Sequence, residues 1–348
     1  MCNSLSILTA VAFLTVAVSG CSSEASPAKQ KIELTETKIP SQEQGIELYV
    51  RHKTATDNGK TLQPNKVVLF LEPFSVPTAE AFDVPEYSWM DDFSSKGYDT
   101  WAMDFRGYGH STRPAAMQQP PQSNKPVVRA TDGVKDLAAV VEYICQQRKV
   151  DKISIVGWSW GAVVGGMYTA QNPDRVEKLV LYGAMHGFEL PSMAKTYEAP
   201  DKPGVINAAM PAYQIIDWEK AIHHWHMMLN GKDLVEPKAW EAVKQVFNAS
   251  DPASSSRDNH AVQRPMGPLV DLYEIWSNRA IFDAGAIQAP VLIIRGDLDI
   301  FADPGLINKL TKAKNKKEVV IKDATHWALY EKHRDELIEQ TDTFLQGK

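Results

Sequence analysis

After Pro64 the chain alternates short, continuous apolar runs with stretches of helical period. The runs Val67–Leu71, Thr100–Phe105, Ile153–Val156, Leu179–Tyr182, Val291–Arg295 and Glu318–Ile321 predict strands. Unbroken apolarity, rather than every-second-residue alternation, marks strands buried on both faces, as in a parallel sheet. Between them Val134, Leu137, Val141 and Ile144 with Cys145 recur at helical spacing and mark one face of a helix. The expectation is an α/β fold with a mostly parallel central sheet, covered on both faces by right-handed crossovers.

Two regions depart from this rhythm. Ile32–Thr35 and Ile46–Val50 alternate in polarity, and Pro40 and Gly45 lie between them, so an N-terminal antiparallel hairpin is expected. Residues 187–289 lack a clear buried strand and hold amphipathic stretches, Trp218–Leu229 and Trp240–Phe247. They predict a helical insertion that divides a core of residues 32–186 and 290–348. Pro114–Pro126 and Ala253–Arg257 predict surface loops.

Composition narrows the class. With 348 residues, 44% hydrophobic and 23% charged, the chain is neither disordered nor fibrous. Its net charge of -6 is spread without a basic cluster, which argues against a nucleic-acid partner.

The first twenty residues carry no charged side chain, and the apolar run Ile7–Val18 is too short to span a bilayer but suits a signal peptide over residues 1–20. Val18-Ser19-Gly20-Cys21 resembles the bacterial lipobox, although the opening residues lack the usual Lys or Arg. The resemblance implies that Cys21 becomes an acylated first residue, followed by a polar tether to residue 31, with ordinary secretion or a buried N-terminal anchor as alternatives. It further implies a protein lipid-anchored in the bacterial envelope. Ser22 after the cysteine points to the outer membrane, facing the periplasm. Acyl chains of this kind anchor without spanning. Removal of Cys2 and acylation of Cys21 would leave Cys145 alone, so no internal disulfide is expected.

The strongest chemical signal is Gly157-Trp158-Ser159-Trp160-Gly161, set between the strand 153–156 and a helix over 162–170. Such a strand-to-helix turn projects a serine hydroxyl, and its glycines admit neighbouring backbone. A serine hydroxyl is a weak nucleophile and needs a base, which in turn needs a carboxylate to orient it. Past the strand 291–295 stand Asp297 and Asp299, and past the last strand stands His326. On the residues alone either aspartate could serve.

From about Ile46 to Leu345 the sequence resembles the α/β-hydrolase superfamily, in its esterase, lactonase and proline-iminopeptidase-like branch. The family's strand-Gly-x-x-Asp pattern implies a triad of Ser159, Asp299 and His326. Asp104-Phe105-Arg106-Gly107-Tyr108-Gly109-His110-Ser111 resembles a family loop in which Asp104 and Ser111 are structural. Where many members have His-Gly, this chain has Leu71-Glu72-Pro73-Phe74. Pro73 has no N–H, so the oxyanion donors implied are Phe74 and Trp160. Glu72 would either hydrogen-bond to loop backbone or act as an acid of raised pKa.

The resemblance also places a cap over the site at residues 187–289. Trp158, Met185 and Trp327 adjoin the catalytic residues and are expected to bind substrate, and the aromatic content suggests a bulky apolar substrate part. His223-His224-Trp225-His226 lacks an acid or cysteine at ligand spacing, so no metal is expected, nor any other cofactor. The implied reaction is hydrolysis of an ester or lactone of a small molecule. Amide and C–C cleavage stay open, as does a non-catalytic binding role for a surface lipoprotein.

Overall fold

The computed structural model describes residues 31–55 and 66–348. The signal-like segment, Cys21 and nearly all of the tether lie outside the described residues. Among the described residues twelve strands follow in chain order: β1 (Ile32–Pro40), β2 (Glu47–Ala55), β3 (Val67–Leu71), β4 (Asp99–Met103), β5 (Ile153–Trp158), β6 (Val176–Tyr182), β7 (Glu198–Ala199), β8 (Lys202–Ile206), β9 (Tyr213–Ile216), β10 (Val262–Pro265), β11 (Val291–Gly296) and β12 (Lys316–Ile321).

Eight of them form one sheet in the order β1-β2-β4-β3-β5-β6-β11-β12. β1 pairs antiparallel with β2, and β2 antiparallel with β4, while the pairs from β4 onward are parallel. The expected hairpin is thus the edge of the sheet, and the parallel part follows it.

Strand pleating sorts the apolar runs onto two faces. Leu69, Leu71, Ile155, Leu179, Leu181 and Ile293 belong to one buried cluster, covered by α2 (Ala130–Arg148) and α3 (Trp160–Gln171). Val68, Phe70, Val156, Val180, Leu292 and Ile294 belong to the other, covered by α1 (Trp89–Ser95) and the C-terminal helix Arg334–Gln346. Both faces being apolar, neither could be left to solvent without losing roughly 25 cal/mol per Å² of exposed apolar area.

β4 begins and ends earlier than the run Thr100–Phe105 suggests. The Asp104 N–H donates to the Tyr49 carbonyl at 3.0 Å, and the Phe105 N–H to Glu72 Oε1 at 2.8 Å, so the ladder stops and a loop starts. The insertion also departs from an all-helical form. Besides the helices Trp218–Ala221, His223–Leu229, Pro237–Ala249 and Gly267–Trp276, it holds two antiparallel ribbons, β7 with β8 and β9 with β10. Each is too short for a visible period, and β9 meets β10 only after a long excursion. The amphipathic stretch Trp218–Leu229 is broken at Ile222, where ψ is 4°.

Candidate active site

β5 ends at Trp158, and the next residue, Ser159, has φ 59° and ψ −121° before α3 begins. This strained conformation is rare for a residue with a side chain and is held by its surroundings. The Ser159 N–H donates to the Tyr182 carbonyl at 2.9 Å. A Cβ on Gly161 would lie 2.3 Å from the Leu71 carbonyl oxygen, so only glycine lets α3 press against the end of β3.

Asp299 follows β11 and His326 follows β12. Asp299 Oδ2 lies 2.8 Å from His326 Nδ1, and its Oδ1 accepts the N–H groups of Phe301 and Ala302 at 2.9 and 3.2 Å. One carboxylate oxygen is therefore anchored on backbone and the other is aimed at the ring. Asp297, by contrast, is exposed and accepts the Ala324 N–H at 3.3 Å.

The segment carrying His326 is held from behind. Its carbonyl accepts from Trp158 Nε1 at 3.0 Å and from the Tyr182 hydroxyl at 2.9 Å. Buried Glu331 accepts the Thr325 N–H at 2.8 Å and Trp225 Nε1 at 2.8 Å, and it also bonds the Thr325 hydroxyl. Burial raises the pKa of Glu331 despite these donors.

Ser159 and His326 line one cavity of about 930 Å³, together with Phe74, Met185, Met228 and Trp276. Trp160 opens α3, so its N–H belongs to the helix-terminal groups that no helical carbonyl reaches. Its indole instead is buried and donates to Asp271 Oδ2 at 3.1 Å.

Of the three residues expected at the substrate, Met185 lines the cavity, whereas Trp158 and Trp327 do not. Both tryptophans are fully buried in the cluster behind His326: Trp158 stacks on Tyr182, and Trp327 lies parallel to Trp225 at 4.4 Å. Neighbours of Ser159 and His326 in sequence need not share their direction, because Ser159 and Trp327 sit at turns where successive side chains leave the backbone on different sides.

Glu72 is fully buried, and its Oε1 accepts the Phe105 N–H at 2.8 Å. Burial first, and the nearby Asp104 second, raise its pKa well above the usual carboxylate range. It is not among the residues of the cavity wall, and its Oε1 contact closes the loop after β4. Asp104 does similar work, accepting the N–H groups of Ala79 and His110, both at 2.6 Å, and burial raises its pKa to about 6. The Ser111 hydroxyl donates to the Asp104 carbonyl at 2.6 Å.

Three further residues stand at the site that the sequence did not place there: His224 and Arg264 line the cavity, and Gly183 abuts the His326 ring. Gly183, at φ 57°, lets the His326 ring approach: a Cβ there would lie 2.8 Å from its Nδ1. His224 Nε2 accepts from Trp327 Nε1 at 3.1 Å, and burial, with repulsion from His326 second, holds its pKa well below the usual value. Arg264 is 5% exposed on the cavity wall. Among the described residues no group of three or more His, Cys, Asp and Glu could hold a metal ion.

A family model for the alpha/beta hydrolase fold matches residues 79–333. Epoxide hydrolase 3 of Siraitia grosvenorii is 30% identical over 141 residues, which is 38% of this chain and 38% of that protein. Among solved structures, a membrane phospholipase A described as a bacterial virulence factor is 16% identical, with a TM-score of 0.59 over 90% of this chain and 86% of its own. A thermophilic esterase from Thermogutta terrifontis is 16% identical, with a TM-score of 0.57 over 90% and 98%. At such identities the likeness to the solved structures is one of fold.

Proposed function

The chain belongs to the alpha/beta hydrolase fold family, and within it we propose a serine hydrolase that cleaves a carboxylic ester or lactone through an acyl-enzyme on Ser159. The observation that carries this reading is the 2.8 Å contact of Asp299 Oδ2 with His326 Nδ1 in a cavity that Ser159 also lines. With Nδ1–H donated to Asp299, His326 keeps Nε2 free as a base.

In the proposed reaction Nε2 takes the Ser159 hydroxyl proton as Oγ attacks the substrate carbonyl. Negative charge grows on the carbonyl oxygen, facing the N–H groups of Phe74, in the loop after β3, and Trp160, at the N-terminus of α3. The tetrahedral intermediate collapses, the C–O bond to the alcohol breaks, and the alcohol leaves with the proton held on Nε2. Water then repeats the sequence on the acyl-enzyme, releasing the acid and restoring Ser159. The methionines and Trp276 of the cavity suit an apolar acyl or alcohol part.

The similarity to an epoxide hydrolase raises a second reading. Attack of a serine alkoxide on an epoxide carbon would give an ether, which has no carbonyl for water to attack, and turnover would stop. A carbonyl substrate regenerates the enzyme, so the serine favours the ester or lactone. Wild-type protein and Ser159→Ala are compared on p-nitrophenyl butyrate, a short lactone and styrene oxide. The proposal expects ester or lactone turnover that Ser159→Ala loses, and ring opening of the epoxide by wild type would overturn it.

We further propose that residues 1–21 deliver the enzyme to a membrane surface through an acylated Cys21.

A further inference from the structure

Arg264 lies in β10, 5% exposed, on the wall that Ser159 shares. Its Nη1 donates to the Phe74 carbonyl at 3.1 Å and to that of Ser75 at 3.4 Å. The guanidinium sits 3.9 Å from the centre of the Phe74 ring. With the Gln214 amide oxygen turned toward it, Nε and Nη2 donate at 2.9 and 3.2 Å. These partners are all neutral.

Among the described residues no carboxylate forms an ion pair with Arg264, and the nearby Tyr108 and Tyr197 hydroxyls, whose pKa values burial raises, are uncharged at neutral pH. Burial lowers its pKa to about 10, so it remains a cation at neutral pH. A buried cation without a counter-charge is strongly disfavoured, and neutral carbonyls offset only part of that cost. Beside it the Ser75 hydroxyl is 6% exposed, lines the same cavity and has no partner. The other charges of the wall are already engaged or exposed to solvent. Asp299 holds His326, Asp297 is exposed, and the exposed Lys220 pairs with Asp217 at 3.1 Å.

We propose that Arg264, with the Ser75 hydroxyl beside it, binds a carboxylate on the acyl part of the substrate. One guanidinium matches one monoanion: four of its five N–H groups are engaged, so the remaining Nη2–H can donate to one carboxylate oxygen and the unpartnered Ser75 hydroxyl to the other. Because Arg264 holds the carbonyl of Phe74, whose N–H is the oxyanion donor of the proposed reaction, the group it binds sits a few bonds from the scissile carbonyl. The substrate is then an ester or lactone of a dicarboxylic acid, apolar on the side facing the methionines. This inference rests on the acyl-enzyme reading of Ser159.

The test compares two p-nitrophenyl esters of equal chain length, the hemiglutarate with its free carboxylate and its methyl ester. Wild type is expected to favour the free acid by about tenfold or more in kcat/KM, and Arg264→Gln to bring that ratio to about one. A residue that only braced the Phe74 loop would lower both rates in parallel, and an unchanged ratio, or no preference in wild type, overturns the proposal. Should Arg264→Gln fail to fold, inhibition of wild type decides: competitive inhibition by glutarate and not by glutaramide supports the site, and equal inhibition by both rejects it. Fluorophosphonate labelling of Ser159 in wild type separates the two claims. Labelling without a preference for the acid rejects the Arg264 site alone, whereas no turnover and no labelling rejects the hydrolase reading itself.

Discussion

Gly183 and His326 meet so closely that no side chain fits between them: a Cβ on the glycine would stand 2.8 Å from both Nδ1 and Cε1 of the ring. Gly183 follows β6, its N–H is fixed on the Ile294 carbonyl at 2.9 Å, and its φ is 57°. Gly183→Ala therefore pushes the ring off Asp299 and adds left-handed strain of about 1 kcal/mol. A displacement of about 1 Å can cost on the order of 100-fold in rate. The expected outcome is a fall in kcat of that order with a small loss in melting temperature, read from ester kinetics and thermal melts.

The two aspartates after β11 should separate cleanly. Asp299→Asn keeps the shape but replaces the acceptor facing Nδ1, so the ring loses its tautomeric preference and kcat drops by roughly 10³- to 10⁴-fold. Asp297→Asn, at an exposed position, should stay within about twofold of wild type, since surface changes usually move stability by under about 0.5 kcal/mol. Parallel kcat measurements on both variants check the assignment.

Glu72 makes stability depend on pH. Its pKa is raised in the folded state by burial, so the folded protein holds a proton that the unfolded chain releases above the ordinary Glu range. The stability linked to that proton is fully present below about pH 4.5, the unfolded value, and is lost as pH rises through the folded pKa. Glu72→Gln keeps an acceptor for the Phe105 N–H and removes the titration. Its melting temperature should gain on wild type progressively from pH 4.5 to pH 8. A constant difference across that range would show that Glu72 does not resist ionisation.

The N-terminal segment makes its own prediction. Full-length protein expressed in a bacterium should partition with membranes and, after extraction, begin at Cys21 with the mass of added acyl chains. Cys21→Ser should move it to the soluble fraction. Wild-type protein of unmodified mass would reject lipidation.

The framework of the fold could be read from residues because buried parallel strands write themselves as unbroken apolar runs, and the serine turn lies between two such readable elements. His326 was legible for the same reason, standing just past a strand, whereas Asp297 and Asp299 both stand past β11 and only the family resemblance favoured Asp299, the residue that meets His326 Nδ1. Arg264 was not. Nothing in Val262-Gln263-Arg264-Pro265 marks it, and it reaches the cavity through the pairing of β10 with β9, where Arg264 stands opposite Gln214. Trp158 and Trp327 misled for the converse reason, since adjacency to Ser159 and His326 along the chain gave no information on which side of the backbone they face. Glu72 lay between these cases: the sequence marked it as unusual, and the Phe105 N–H supplied the reason.

The most direct test of the account is the mass of the Ser159 peptide after treatment of folded wild-type protein with a fluorophosphonate. The account predicts one stoichiometric adduct on Ser159, with loss of ester hydrolysis in step with labelling, and slow labelling in His326→Ala. Ester turnover that persists after full exposure to the probe, with Ser159 unmodified, would contradict it.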